Sequence, residues 1–271
     1  MEDKKIVFNF FEDKGVVLNT FANYLGVREC ELKEFIEQRE IPYREYEFED
    51  EIEAIQNKFN INLGDKESDN VYMTLKHITT TRDEFKSLKE YGLRDLQFAL
   101  EGDTYLNKFL YENGIVFDIS KDKMFIDDDE YNIVDSSSDE DSEKYMSLLY
   151  IKFNHDECQI EGFSESLKEE LDYPSVKYHP EILVSIDNFL DSINKSRNLC
   201  EKWKVNNDKY YVLEFDVAIK DLNNYKDRDI NNVLIERCYS KIKGDNWDRY
   251  EQIVNKEPIP FERIKITEFN R

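Results

Sequence analysis

Few residues in this chain combine a reactive side chain with a setting that would use it. There are three histidines and four cysteines. Cys30, Cys158, Cys200 and Cys238 stand far apart and form no C-x-x-C pair. A structural zinc needs clustered thiolates or imidazoles, so no metal is expected. The four read as reduced thiols of a cytosolic protein, mostly buried. His77 differs, because it closes an apolar-rich run and is followed by Ile78 and the threonines Thr79, Thr80 and Thr81. A neutral imidazole both donates and accepts, and at the C-terminal end of a strand it points into a rim where ligands bind. The plainer alternative is a ring satisfied by backbone. Two carboxylates, Glu251 and Glu257, flank the start of the run Pro258-Ile259-Pro260. The plainer reading of Glu251 is a strand-edge charge paired with Arg249 or Lys256.

These residues need elements to hold them. Residues 71–75 read as a strand ending at His77, and residues 81–91 as a helix. Thr81 caps that helix with Glu84 three positions on, and Gly92 ends it. Helices follow over 93–100 and 105–112, then a strand over 115–119. The apolar run 146–153 fits a buried strand. Pro180 opens one long amphipathic helix over 181–200, with Ile182, Ile186, Phe189, Leu190 and Ile193 inward. Residues 210–219, YYVLEFDVAI, form the clearest strand, 230–242 a helix and 250–254 a strand, before an extended closing segment. Ahead of all this, residues 5–10 are strand-like. Residues 17–38 have helical spacing broken at Gly26, like a helix-turn-helix. Its second helix carries Glu29, Glu31, Glu34 and Glu37, the wrong sign for a helix that faces phosphates. It is better suited to packing or protein docking. Residues 43–51 alternate like an exposed strand or connector, 51–59 suit a short helix, and 60–70 mark a boundary.

The chain has 271 residues, 40% apolar and 14% aromatic, enough for a sizeable core. No apolar run reaches 18 residues, so no membrane span is expected. Sixty acids against 37 bases give a formal charge of −23, which argues against tracking nucleic-acid or lipid phosphates. The surplus is local. Residues 1–196 hold 46 acids and 22 bases, whereas residues 197–271 hold 14 and 15. The densest acidic stretch, 127–143, reads as an exposed, solvated loop insertion; the alternative is a phosphate mimic that shields a basic site or meets a basic partner.

Taken in order, YMTLKHITTTRDEFKSLKEYGL (72–93) and DRYEQIVNKEPIPFERIKI (248–266) resemble the motifs of ADP-ribosyltransferase-fold enzymes of the histidine–tyrosine–glutamate class. The nearest in motif are the toxins that modify DNA. The resemblance covers roughly residues 71–120 and 176–266. It implies an α+β fold with a split two-sheet core in residues 66–271, preceded by a small helical module in residues 1–65. It implies NAD as the substrate, no metal, and a protein or nucleic-acid acceptor, in a cytoplasmic toxin or phage–host conflict setting where a neutralising partner is in keeping. His77 would bond the cofactor's ribose and nicotinamide amide, with Thr79 as a polar neighbour. Tyr178 would stack on nicotinamide, with Tyr173 and Tyr145 as competitors. Glu251 would be the catalytic carboxylate, with Glu257 second. Breaking the N-glycosidic bond develops positive charge on the ribose, which a fixed carboxylate stabilises more than the ground state. Arg249, two residues before Glu251, disfavours the arginine-modifying type with its second acid. Arg82 and Arg94 are candidates to hold the pyrophosphate as charge-assisted donors; the plainer reading is surface partners of the many acids.

Two rivals stand beside this reading. One is a non-enzymatic acidic protein that mimics nucleic acid and sequesters a basic partner, resting on the charge alone. The other is RNA 2′-phosphotransferase chemistry on the same fold, which needs several pocket arginines.

Overall fold

Gly26 closes the first helix by taking a left-handed backbone, φ 74°, that a residue with Cβ adopts only at a cost. The computed structural model describes residues 5–39, 47–63, 70–135, 140–153, 159–165, 175–204, 209–222, 230–244, 250–253 and 257–270. At 47–49, 175 and 250–253 it describes the backbone alone. The chain is α+β.

Strand β1 (Ile6–Phe8) precedes α1 (Lys14–Leu25), α2 (Glu29–Glu37) and α3 (Glu47–Phe59). β2 (Val71–Thr79) then leads to α4 (Lys86–Tyr91), α5 (Leu96–Glu101) and α6 (Tyr105–Glu112). β3 (Ile115–Asp118), β4 (Lys123–Ile126) and β5 (Asp129–Asn132) come next, then α7 (Asp141–Phe153) and β6 (Ile160–Phe163). The rest is α8 (Ile182–Ser192), α9 (Leu199–Lys204), β7 (Lys209–Ala218), α10 (Ile230–Lys243), β8 (Tyr250–Ile253) and β9 (Lys265–Asn270).

Several elements differ from the sequence expectation, each for a local reason. The stretch 43–51 is helical from Glu47, because Phe48, Ile52, Ile55 and Phe59 recur at helical spacing and override the short alternation. The helix expected over 81–91 begins only at Lys86, because Glu84 and Phe85 take left-handed backbones (φ 54° and 62°). The apolar run 146–153 is the body of helix α7 and not a strand. Met146, Leu149 and Phe153 are buried at i, i+3 and i+7, a spacing that the further apolar residues Leu148, Tyr150 and Ile151 conceal. The single helix expected over 181–200 is two. Asn194 (φ 58°) and Asn198 (φ 52°) turn the chain between α8 and α9, a role asparagine takes readily. The acidic stretch is not loop throughout. Asp127 (φ 50°) and Asp128 (φ 72°) form the tight turn between β4 and β5, and Asp141 opens α7.

The strands form a six-stranded sheet in the order β8-β6-β2-β7-β9, with β1 also paired to β2, and a three-stranded sheet β3-β4-β5. The chain divides into two units, each made of three segments. The first comprises residues 1–76, 162–168 and 215–253, the second 77–161, 169–214 and 254–271. In the first, β1 runs parallel to β2 with Ile6 opposite Val71 and Phe8 opposite Met73. Helices α1, α2 and α3 pack on α10 there. Arg39 reaches Glu51 with both Nε (2.5 Å) and Nη2 (2.8 Å). Burial, and after it the Glu51 carboxylate, push the Tyr239 hydroxyl well above the usual tyrosine range. In the second unit, β3, β4 and β5 are antiparallel, with Phe117 opposite Met124 and Met124 opposite Tyr131. Their inner face joins α6, α7, α8 and α9 around Leu110, Met124, Leu149, Leu183, Ile186 and Trp203. In the same unit β7 pairs antiparallel with β9, Lys209 opposite Asn270 and Glu214 opposite Lys265.

Candidate active site

The last turn of β2 holds the candidate histidine. Val71, Met73 and Leu75 are buried, as period-2 alternation requires, and His77 continues the same face half-buried. Its Nδ1 lies 2.9 Å from the carbonyl oxygen of Glu161. A carbonyl only accepts, so Nδ1 carries the proton and donates it. Burial lowers the imidazole pKa, partly opposed by that hydrogen bond. The ring is therefore neutral at pH 7, and Nε2 is left as an acceptor.

Beyond His77 the chain binds itself to α9. The Thr80 hydroxyl accepts the indole N–H of Trp203 at 3.0 Å, in a buried contact. Arg82 Nη1 donates to the carbonyls of Lys202 (3.0 Å) and Trp203 (2.5 Å) at the C-terminal end of α9. A cation there also favours the helix dipole. Thr79 makes only a long contact, 3.4 Å, to the Thr80 carbonyl. Thr81 accepts the amides of Asp83 (3.3 Å) and Phe85 (3.1 Å), and Asp83 accepts the amide and hydroxyl of Ser87 at 2.9 and 2.5 Å. Burial acts to raise the Asp83 pKa, but the Ser87 and Thr81 bonds outweigh it and hold the carboxyl below its usual value. Thr81 thus builds the turn before α4, one turn upstream of a helix cap.

The far end of the first motif meets the closing run. Gly92 takes φ 73° and ψ −178°, a region essentially reserved for glycine. A Cβ there would stand 2.6 Å from the Ile259 carbonyl oxygen. The next residue, Leu93, exchanges both backbone hydrogen bonds with Ile259, at 2.9 and 3.0 Å. Gly-Leu and Pro-Ile-Pro, 166 positions apart in the chain, therefore form one antiparallel bridge.

Of the tyrosines, Tyr178 is half-buried where a single turn leads into α8, with the Lys204 ammonium 4.8 Å from its ring centre. Tyr145 packs instead against the apolar core of the second unit, and Tyr173 lies outside the described residues. His77, Thr79, Arg82, Arg94 and Tyr178 all belong to the second unit, whereas Glu251 lies on β8 in the first. The Glu251 side chain, Arg249 and Lys256 lie outside the described residues. Glu257 is exposed. Sequence reasoning did not single out the Glu161 carbonyl or Trp203, because neither contact has a local pattern. The cysteines are less buried than expected: Cys30 is exposed, Cys200 half-buried and Cys238 buried, with Cys158 outside the described residues. Among the described residues no three His, Cys, Asp or Glu side chains gather as a metal-ligand set. No described helix is long and apolar enough to cross a membrane. No protein-family model, curated protein or solved structure matches the chain.

Proposed function

We propose that this chain is an NAD-dependent ADP-ribosyltransferase acting on a protein or nucleic-acid acceptor. The observation that carries the reading is the Leu93–Ile259 bridge. It joins the two motifs on which the resemblance rests, and nothing in their separate sequences requires them to meet. The neutral His77 adds to it. With Nδ1 donating to Glu161, Nε2 can accept from a ribose hydroxyl. In this reading Tyr178 offers the ring for nicotinamide. Glu251 stabilises the positive charge that develops on the ribose as the N-glycosidic bond breaks. Nicotinamide leaves with the bonding pair, and a nucleophile on the acceptor attacks the anomeric carbon. The setting in keeping with this chemistry is a cytoplasmic toxin or a phage–host conflict factor.

The test is incubation with labelled NAD and a cell lysate, following nicotinamide release and label on macromolecules. Both are expected, and His77→Ala or Glu251→Gln should abolish both. The absence of both release and label with the wild-type chain would refute the reading. Salt-sensitive capture of a basic protein, unchanged by Glu251→Gln and without nicotinamide release, would favour the acidic-mimic alternative.

A further inference from the structure

Arg94 stands out among the described arginines. Arg28 pairs with Glu31, Arg39 with Glu51 and Arg197 with Asp127, while Arg82 binds two carbonyls and Arg237 binds Ser164. In a chain with 60 acids and 37 bases, a guanidinium ordinarily finds a carboxylate. Arg94 has a hydrogen bond or ion pair to no described residue, and its Nε is buried without a partner. Its Nη1 and Nη2 are not among the buried unpartnered atoms, so they reach the surface.

The arginine is nonetheless fixed. Its guanidinium carbon lies 4.3 Å from the centre of the Phe98 ring, and Phe98 packs on Tyr91 at 5.3 Å. Leu93 on one side is pinned by the bridge to Ile259. Asp95 on the other spends its Oδ1 capping α5 through the Phe98 amide at 2.8 Å. Asp103 pairs with Lys108, and the Tyr91 hydroxyl donates to Glu90. A stacked guanidinium with a free planar fork matches two oxygens of a phosphate-type anion, which a lysine ammonium cannot match in geometry.

We infer that Arg94 is the anion-recognition residue of the second unit and that its ligand is a phosphate-type oxyanion, the pyrophosphate of NAD. The identification with NAD rests on the proposed transferase reading; the anion site itself does not. Between the two arginines suggested for this role, Arg94 is free to bind whereas Arg82 is already engaged with the end of α9.

The experiment is calorimetric titration of the full chain with inorganic pyrophosphate, ADP-ribose and NAD. The proteins are wild type, Arg94→Met, Arg94→Lys and Lys144→Met, each first shown to melt like wild type. Methionine keeps the apolar stem over Phe98. All three ligands should bind wild type. Affinity should fall about tenfold or more in Arg94→Met, recover partly in Arg94→Lys and hold in Lys144→Met, which removes an exposed cation elsewhere in the same unit. Wild type that binds none of the three, an Arg94→Met protein that binds as wild type does, or an equal loss in Lys144→Met would overturn the site. Pyrophosphate binding that needs Arg94 without nicotinamide release by wild type would keep the site and sink the transferase reading. The converse, release by wild type unaltered by Arg94→Met, would sink the site alone.

Discussion

Asp187 on α8 caps the helix that begins at Leu199, twelve residues further along. One carboxylate oxygen accepts the Leu199 amide at 2.8 Å and the other the Cys200 amide at 2.9 Å. Those amides are orphan donors of a helix start, and a carboxylate satisfies them and suits the dipole. The same carboxylate, after burial, helps to push the Cys200 thiol up to about 12. Asp187→Ala is expected to cost roughly 1–2 kcal/mol, read as a lower urea midpoint at unchanged slope. Asp187→Asn, which keeps one acceptor, should lose less. Equal stability of Asp187→Ala and wild type would refute the cap.

Gly92→Ala is expected to destabilise through two additive effects. Its backbone lies in a region that side chains avoid, at about 1–3 kcal/mol. The new methyl would also meet the Ile259 carbonyl oxygen. The Leu93–Ile259 bridge should open, so amide exchange at Leu93 and Ile259 should accelerate more than at buried Leu110 of α6. Unchanged exchange at both positions would count against the bridge.

Arg82 is expected to act structurally. Arg82→Ala removes two charge-assisted bonds to the end of α9, with an expected loss of about 2 kcal/mol. Arg82→Lys should recover only part of it, since a point charge does not reproduce the fork. Thermal melting of the two variants checks the order.

His77 should leave a signature in the pH dependence of stability. Its pKa is lowered in the folded chain, so the unfolded chain binds more protons below its usual value of 6.5. Its contribution is complete above pH 6.5, falls as pH drops below that value, and levels off beneath the folded pKa. His77→Gln should therefore lose less stability than wild type between pH 7.5 and 5.0 by urea unfolding. His179, whose pKa burial also lowers, keeps a residual slope in both proteins. Identical pH profiles would show that His77 is not held neutral.

Much of the architecture could be read from residue spacing where the pattern was long or carried punctuation. Helix α6 spans Tyr105–Glu112 as expected, with Thr104 accepting the Asn107 amide at 3.1 Å. The break at Gly26 and the strand β7 were equally legible. Short apolar-rich runs were not, because the closely spaced apolar residues of 146–153 in α7 show no clear period. The positive φ of Glu84, Phe85, Asn194 and Asn198 was not legible, because residues other than glycine adopt it too rarely for residue type alone to mark the place. The same limit applies to the site. His77 and Gly92-Leu93 announce themselves through neighbours in sequence. The partners that fix them, Glu161 and Ile259, lie 84 and 166 positions away. Long-range backbone pairing has no residue-type signature.

The division into two units runs through strands rather than between them. It falls between Lys76 and His77 inside β2 and between Glu214 and Phe215 inside β7. Neither unit is a continuous stretch, so no single cut separates one unit from the other. During synthesis the first unit is not complete until β8 has left the ribosome, although β1 and α1 to α3 emerge well before it. Its early helices must wait, with the surface that α10 covers open to water, while everything between α3 and α10 is synthesised. That interval, rather than the finished fold, is where this chain is most exposed to misassembly, and slowing translation ahead of α10 should raise its aggregation in a cell-free system.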